Sequence, residues 1–421
     1  MTMGKIKDLM RKSWLLKTFL RARWPVKQQL IKGFLQRKKY YPKESVNADI
    51  KNLINCMLCP NMCRFDCPAV QASKKETHAP ATKARIGYYL EMNRLEKIPE
   101  NILPLFEGCV HCSGCQVHCP FDFAVGDLLE GVAVDLFSKQ QLPQSIMTFS
   151  ERISKNNGLY PTEKYQQAYN ALSPLSEGDI YYFPGCVTMG NNTKVISGIA
   201  KIANKVNRSL ISKPQERWCC GAPLMYAGDL EKAKELAEHN KAHFQSLDIK
   251  TIICECPECT YMLREKYKQL GYDLKIPVLH VSEWLASLLA EGALEIQNGE
   301  KETFFVNNLP IGFHDPCVLA RKLGVLDPPR ELLMAMFPNS LREVPYSREI
   351  THCCGFGGLV NIANSEIANQ MAQNRLAEFK KAEIKTIVTS CPTCYYSFMK
   401  NNTELQFEIF DLVEAVAALI Q

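Results

Sequence analysis

No apolar run in the 421 residues approaches the ~18 that a membrane-spanning helix needs. No uninterrupted apolar stretch with a small-residue cleavage site opens the chain, so no secretory leader is expected. No Gly-x-Gly-x-x-Gly follows a strand pattern, which excludes a flavin or nicotinamide fingerprint and requires a partner to supply or accept electrons. Phe356-Gly357-Gly358 lacks the Lys-Ser/Thr sequel of a phosphate cradle and reads as a loop of close backbone approach. Acid is scarce at the N-terminus. Residues 1 to 45 carry thirteen Lys or Arg against Asp8 and Glu44, a net +11, which leaves −5 for the rest.

That basic segment interleaves Trp14, Phe19, Leu20, Trp24, Ile31, Phe34 and Leu35 with its charges, and Pro25 is expected to split it into two short helices. Such an arm suits an anionic bilayer surface or a partner subunit; a plain structural arm is the alternative. Nucleic acid is not an expected partner, because no nucleic-acid-binding fold accompanies the charge. Apolar content of 46% and charged content of 22% fit a soluble globular protein of two to four domains. The expected location is the cytoplasm, with the arm peripheral on the inner membrane face. There thiols stay reduced, and clustered cysteines bind metal more often than they pair.

What the chain has in abundance is cysteine, nineteen in all. Cys109-Val-His-Cys112-Ser-Gly-Cys115-Gln-Val-His-Cys119-Pro120 matches the bacterial ferredoxin run at every position. An earlier run, Cys56-Met-Leu-Cys59-Pro-Asn-Met-Cys63-Arg-Phe-Asp-Cys67-Pro68, differs by one extra residue in its middle gap. Three close cysteines wrap one cubane, and the fourth, before proline, turns to the other. Two cubane [4Fe–4S] clusters are therefore expected, one on Cys56, Cys59, Cys63 and Cys119, the other on Cys109, Cys112, Cys115 and Cys67. Zinc on four thiolates is the alternative.

The C-terminal cysteines come from a duplication. Cys186, Cys219-Cys220-Gly221 and Cys256-Pro-Glu-Cys259 are echoed by Cys317, Cys353-Cys354-Gly355 and Cys391-Pro-Thr-Cys394. Ile249-Lys-Thr-Ile-Ile recurs as Ile384-Lys-Thr-Ile-Val. Short strand patterns at 179–183, 251–254, 311–313 and 386–388 alternate with helical ones at 192–206, 229–245 and 366–381, which predicts parallel sheets. Cys186, Cys256, Cys317 and Cys391 then stand just past strand ends, where open α/β sheets collect functional groups, one rim per module. The expected fold is α+β multidomain: a basic arm (1–45), a helical dicluster ferredoxin domain (46–135) with a helix from Arg85 to about Glu96, a connector (136–177), and two repeated α/β cysteine-rich domains (178–291 and 309–421) joined by a linker.

This layout resembles the catalytic iron–sulfur subunit of heterodisulfide reductases over residues 50 to 421, and is similar to iron–sulfur subunits of glycolate oxidase and anaerobic glycerol-3-phosphate dehydrogenase. The resemblance implies a noncubane [4Fe–4S] cluster on Cys186, Cys219, Cys220, Cys256 and Cys259, and another on Cys317, Cys353, Cys354, Cys391 and Cys394, with zinc or a cubane as alternatives. It implies reduction of a small-molecule disulfide between them, with Cys219, Cys220, Cys353 and Cys354 at the reacting centre. The alternative is an electron relay from a flavoprotein subunit to a quinone-linked subunit or membrane cytochrome. His314 and His352 stand near Cys317 and Cys353; each is placed to deliver a proton to a departing thiolate, with His352 a candidate catalytic residue, and a hydrogen bond to a cluster sulfur or the local backbone is the alternative. Cys254 faces Thr389 in the repeat and reads as a buried structural thiol.

Overall fold

The computed structural model describes residues 18–36, 45, 47–92, 102, 108–213, 215–216, 218–301, 308–403 and 407–420. The chain divides into two units, Met1–Val46 and Asn47–Gln421. In the first, residues 18–21 are helical, the chain bends at Ala22, and a second helix runs Trp24–Leu35 with Pro25 in its first turn, where no N–H is required. Trp24, Leu30, Phe34 and Leu35 are exposed. Residues 1–17, including Trp14, lie outside the described residues. Among those described, no helix is long and apolar enough to cross a membrane.

The second unit begins with a small helical domain. Helices Ile50–Met57, Pro80–Glu91 and Val125–Ser138 bury Leu53, Ile86, Leu129 and Val132 against one another. The middle helix starts five residues before the expected Arg85, because Pro80 occupies its first turn. The expected end near Glu96 lies outside the described residues.

Residues 136–177 depart from the expected connector. They form helices Gln144–Asn156 and Gln166–Leu172, which bury Ile146, Phe149, Ile153, Ala168 and Leu172. The second helix, of seven residues, is too short for an apolar period to stand out, whereas Ile146, Phe149 and Ile153 of the first carry a helical spacing that sequence reasoning missed. Ser150 Oγ donates to Asp229 Oδ2 at 2.8 Å, and the carbonyl of Asn157 accepts the N–H of Cys219 at 2.8 Å. The stretch is a wall of the first repeat.

The repeats build two sheets of identical topology. β1 (Ile180–Phe183), β2 (Leu210–Ile211), β3 (Thr251–Cys254) and β4 (Val278–His280) lie in the order β2-β1-β3-β4. β5 (Ile311–His314), β6 (Leu341–Arg342), β7 (Thr386–Thr389) and β8 (Glu408–Asp411) lie in the order β6-β5-β7-β8. Every pairing is parallel, and Phe183↔Cys254 has its equivalent in His314↔Thr389. The central strands β1, β3, β5 and β7 are buried over nearly their whole length and read as short apolar runs. Cys254 is buried in β3.

The repeats are packed together through helices Thr193–Lys205 and Leu412–Leu419. A Cβ at Gly198 would meet Ala417 at 3.2 Å and Val413 at 3.3 Å, and Lys201 Nζ donates to the carbonyl of Ala417 at 2.6 Å. The crossing is close because glycine leaves room for it.

Candidate functional site

The repeats deliver their Cys-Cys-Gly and Cys-x-x-Cys pairs the same way and differ at the first cysteine, which follows Gly185 in one and Pro316 in the other. Past β1, Gly185 takes φ +78° and places Cys186 at a helix start; a Cβ there would stand 3.2 Å from Cys259 Sγ. Gly221 and Gly355 take φ +92° and +87° directly after the paired cysteines, and a Cβ at Gly355 would strike the carbonyl of Ala368 at 2.5 Å. Cys256 and Cys391 sit at the N-caps of helices whose first residues are Pro257 and Pro392, with Cys259 and Cys394 one turn on. All ten thiols are buried and unpaired by disulfides.

These ten do not form two separate rims. All of them line a single cavity of about 340 Å³ between the repeats. Cys317 and Cys353 sulfurs are 3.7 Å apart, Cys354 and Cys394 3.1 Å, and Cys256 meets Cys391 across the boundary. Contacts with Cys219 and Cys259 push Cys220 down to about 6. Contacts with Cys353 and Cys394 hold Cys354 well below the ordinary thiol range, and those with Cys259 and Cys391 do the same for Cys256. Their neighbours Cys259, Cys353, Cys391 and Cys394 are pushed up. Crowded, desolvated sulfurs that cannot all ionise have the chemistry of a donor set for soft metal. A second observation fits. His314 is fully buried, interacts with the Cys354 thiol, and lies with the sulfurs of Cys354 and Cys394 within 4.8 Å of one another. Arg375 Nε donates to its Nδ1 at 3.3 Å and fixes the ring. The first repeat has Phe183 at the equivalent place.

His352 stands beside Cys353 and outside the cavity lining. Its ring stacks on Tyr346 at 4.0 Å, and Nδ1 meets Glu378 Oε1 at 2.6 Å. The remaining lining is mainly apolar and aromatic, including Phe149, Leu159, Tyr160, Phe356 and Tyr396. Arg152, carried by the helix Gln144–Asn156, is its one Lys or Arg among the described residues.

Below the cavity the carboxyls of Glu255 and Asp411 face each other in full burial. Glu255 Oε1 and Asp411 Oδ2 have no donor, so a proton held between them satisfies both; Tyr182 Oη donates to Glu255 Oε2 at 3.0 Å. Burial and then Asp411 push Glu255 well up, and burial and then Glu414 push Asp411 up to about 8. Unfolded carboxyls titrate near 4. Between about pH 4 and 8 the folded chain therefore keeps protons that the unfolded chain has released, and this pair's contribution to stability falls as pH rises. Asp411→Asn keeps the helix cap to Val413 N–H. It is expected to flatten the decline in thermal stability between about pH 5 and 8; unfolding scans across that range showing an unchanged slope would refute the shared proton.

The two ferredoxin-like runs come together in crossed fashion. Burial, then Cys63, Cys59 and Cys119, push Cys56 up to about 12. Cys109 and Cys112 both feel Cys67, and Cys67, Cys109, Cys112 and Cys115 line a small cavity of about 30 Å³. The extra residue of the first run is absorbed at Asn61, which takes φ 63° while its Oδ1 accepts from Ala81 N at 3.3 Å. In the second run His111 and Ser113 take φ 51° and 57°, turning the loop around the cavity.

The second run is seated on the second repeat. A Cβ at Gly358 would lie 2.3 Å from the carbonyl of Cys109, and one at Gly357 2.8 Å from that of Val110. Arg321, just past Cys317, donates through Nη1 to the carbonyl of Cys112 at 2.8 Å, through Nε to that of Glu349 at 2.7 Å, and also to that of Thr351. Sequence reasoning missed Arg321, Arg152 and the Glu255–Asp411 pair. None belongs to a motif, and the available signal, a Glu directly before Cys256, is too common to single out.

A cysteine-rich domain family model, CCG, matches residues 180–264 and 311–399, and a 4Fe-4S dicluster domain model matches residues 52–123. A component of the dihydromethanophenazine:CoB–CoM heterodisulfide reductase of Methanosarcina mazei is 25% identical over 408 residues, covering 89% of this chain and 98% of that one. The probable iron-sulfur-binding oxidoreductase FadF of Bacillus subtilis is 27% identical over 331 residues, covering 73% and 46%. The EtfAB:quinone oxidoreductase of Syntrophomonas wolfei is 24% identical over 432 positions, covering 87% and 58%.

Proposed function

The chain belongs to the family of iron–sulfur oxidoreductases that join a 4Fe-4S dicluster domain to two cysteine-rich CCG domains, and on that premise we propose that it carries electrons from a partner subunit to the cavity between its repeats, where a small-molecule disulfide is reduced. The reaction is R–S–S–R′ plus two electrons and two protons to RSH and R′SH. The observation that carries this reading is the single cavity onto which all ten repeat cysteines open. A disulfide bound there is within reach of both sets at once, which a two-electron cleavage fed by one-electron carriers requires.

Iron–sulfur clusters, cubane on the ferredoxin runs and noncubane on each five-cysteine set, supply the one-electron steps when bound. The chain's own residues supply position. Phe149, Tyr160, Phe356 and Tyr396 give the cavity an apolar and aromatic wall, and Gly357 and Gly358 keep the second ferredoxin run against the second repeat. His352, tied to Glu378, supports the Cys353 loop and is not assigned the proton donation. The basic arm docks the protein on an anionic membrane face or on its electron partner.

Metal analysis after anaerobic purification tests this. About 16 irons per chain without zinc, with thiol release from added disulfides driven by a reduced viologen dye, is the expected result. About 8 irons with one or two zincs would confine electron transfer to residues 56–119 and remove the disulfide chemistry. The same protein lacking residues 1–45 is expected to keep its iron and lose its membrane-bound fraction. Likeness to the EtfAB:quinone oxidoreductase favours a second reading, an electron relay between a flavoprotein and quinone. Full iron with quinone-analogue reduction and no thiol release would select it.

A further inference from the structure

The second ferredoxin run differs from the first by a buried charge. Lys83, in helix Pro80–Glu91, is 2% exposed and lines the same cavity as Cys67, Cys109, Cys112 and Cys115. Its Nζ donates to the carbonyl of Gly108 at 3.0 Å and, among the described residues, pairs with no carboxylate. An ammonium taken out of water without a counter-ion costs several kcal/mol, more than one carbonyl returns. A charged Lys83 in this position is balanced when an anion occupies the cavity that the four thiols line.

Neighbouring cations are accounted for differently. Lys322 and Lys266 are paired with Asp127 at 3.3 Å and Glu130 at 2.7 Å. Arg321 is bound to three carbonyls, one of them that of Cys112, and to no carboxylate among the described residues. Around the first run, Arg64 is paired with Glu76 at 3.1 Å, and Arg85, which donates to the carbonyl of Met57, is exposed and screened by water. Cys56 and Cys63 are influenced chiefly by burial and by other thiols.

We propose that Lys83 is the fixed counter-charge of the second ferredoxin set, holding the group bound there at a higher reduction potential than its twin and so directing electrons toward the second repeat. The proposal rests on the iron–sulfur reading of the eight ferredoxin-like cysteines. Each added electron makes a thiolate-bound cluster more negative, and a buried cation favours that state with little screening. Arg321, bonded to the carbonyl of Cys112, adds to the effect. The cation thus acts by tuning and positioning and takes no part in bond cleavage. The higher-potential set is the one seated on Gly357 and Gly358, which gives the relay a direction.

The test is a spectroscopic redox titration of the iron-loaded full chain. Lys83→Met is expected to lower one of the two ferredoxin-type midpoints and leave the other in place, and Lys83→Arg is expected to restore it. Arg321→Met should lower the same midpoint by a smaller amount, and it serves if Lys83→Met fails to load iron. Midpoints unmoved in iron-replete variants would overturn the proposal. A wild-type chain that takes up no iron at residues 56–119 would instead overturn the ligand reading itself, a distinguishable result.

Discussion

Replacing Cys354 with alanine is expected to abolish disulfide turnover, by a factor of at least about 10³, while both ferredoxin-type signals remain. A loss of that size corresponds to about 4 kcal/mol of transition-state stabilisation. Cys354 is where the second repeat concentrates its sulfur contacts. Cys394 lies 3.1 Å away, His314 adjoins it, and its carbonyl accepts Ser397 Oγ at 2.8 Å. Removing the sulfur leaves the cavity wall and the ferredoxin seat in place, so iron should fall by about 4 of 16 per chain and no further. Cys254→Ala is the control. That thiol is buried in β3, and its partner in the other repeat is a threonine, so iron and turnover should both survive. Unchanged thiol release in Cys354→Ala at full ferredoxin iron would sink the proposed chemistry.

The second large effect belongs to a residue with no side chain. Gly358→Val is expected to separate the second ferredoxin run from the second repeat. Gly358 takes φ +58°, a conformation that costs an L-residue on the order of 1–2 kcal/mol. The collision is worse. Its Cβ would stand 2.3 Å from the carbonyl of Cys109 and 2.7 Å from the ring of His111, and neither is the free end of a flexible chain. Overpacking adds roughly 1–3 kcal/mol, and the strain is released by moving the loop that holds Cys109 and Cys112. Electron transfer into the repeat should slow by orders of magnitude, with a lowered unfolding temperature. Alanine should show a milder form of both. Rapid-mixing reduction kinetics equal to wild type in Gly358→Val would refute the seat.

Much of this architecture was legible in the amino-acid order because cysteine spacing is a covalent constraint. Cys109 to Cys119 can wrap only a compact centre, and the recurrence of Cys-Cys-Gly with Cys-x-x-Cys marks a repeat whatever its surroundings. The parallel sheets followed from local pattern, since β1, β3, β5 and β7 are apolar and each precedes a cysteine turn. Even the glycine loop at 356–358 was readable as a close approach, because glycine's lack of a Cβ is a property of the residue alone.

What faces that loop was not readable. Cys109 and Gly358 are far apart in the chain, and only packing brings their backbones together. The same holds for the union of two expected rims into one cavity, for the helices of 136–177 that wall it, and for Glu255 meeting Asp411. Lys83 gives the sharpest contrast: in the sequence it is one cation among fifty, two residues before the expected start of its helix. Burial beside four thiols turns it into an uncompensated charge. Spacing determined which sulfurs gather, because bond lengths limit their reach. Tertiary packing decided which charges and backbones surround them, because desolvation acts on neighbours in space.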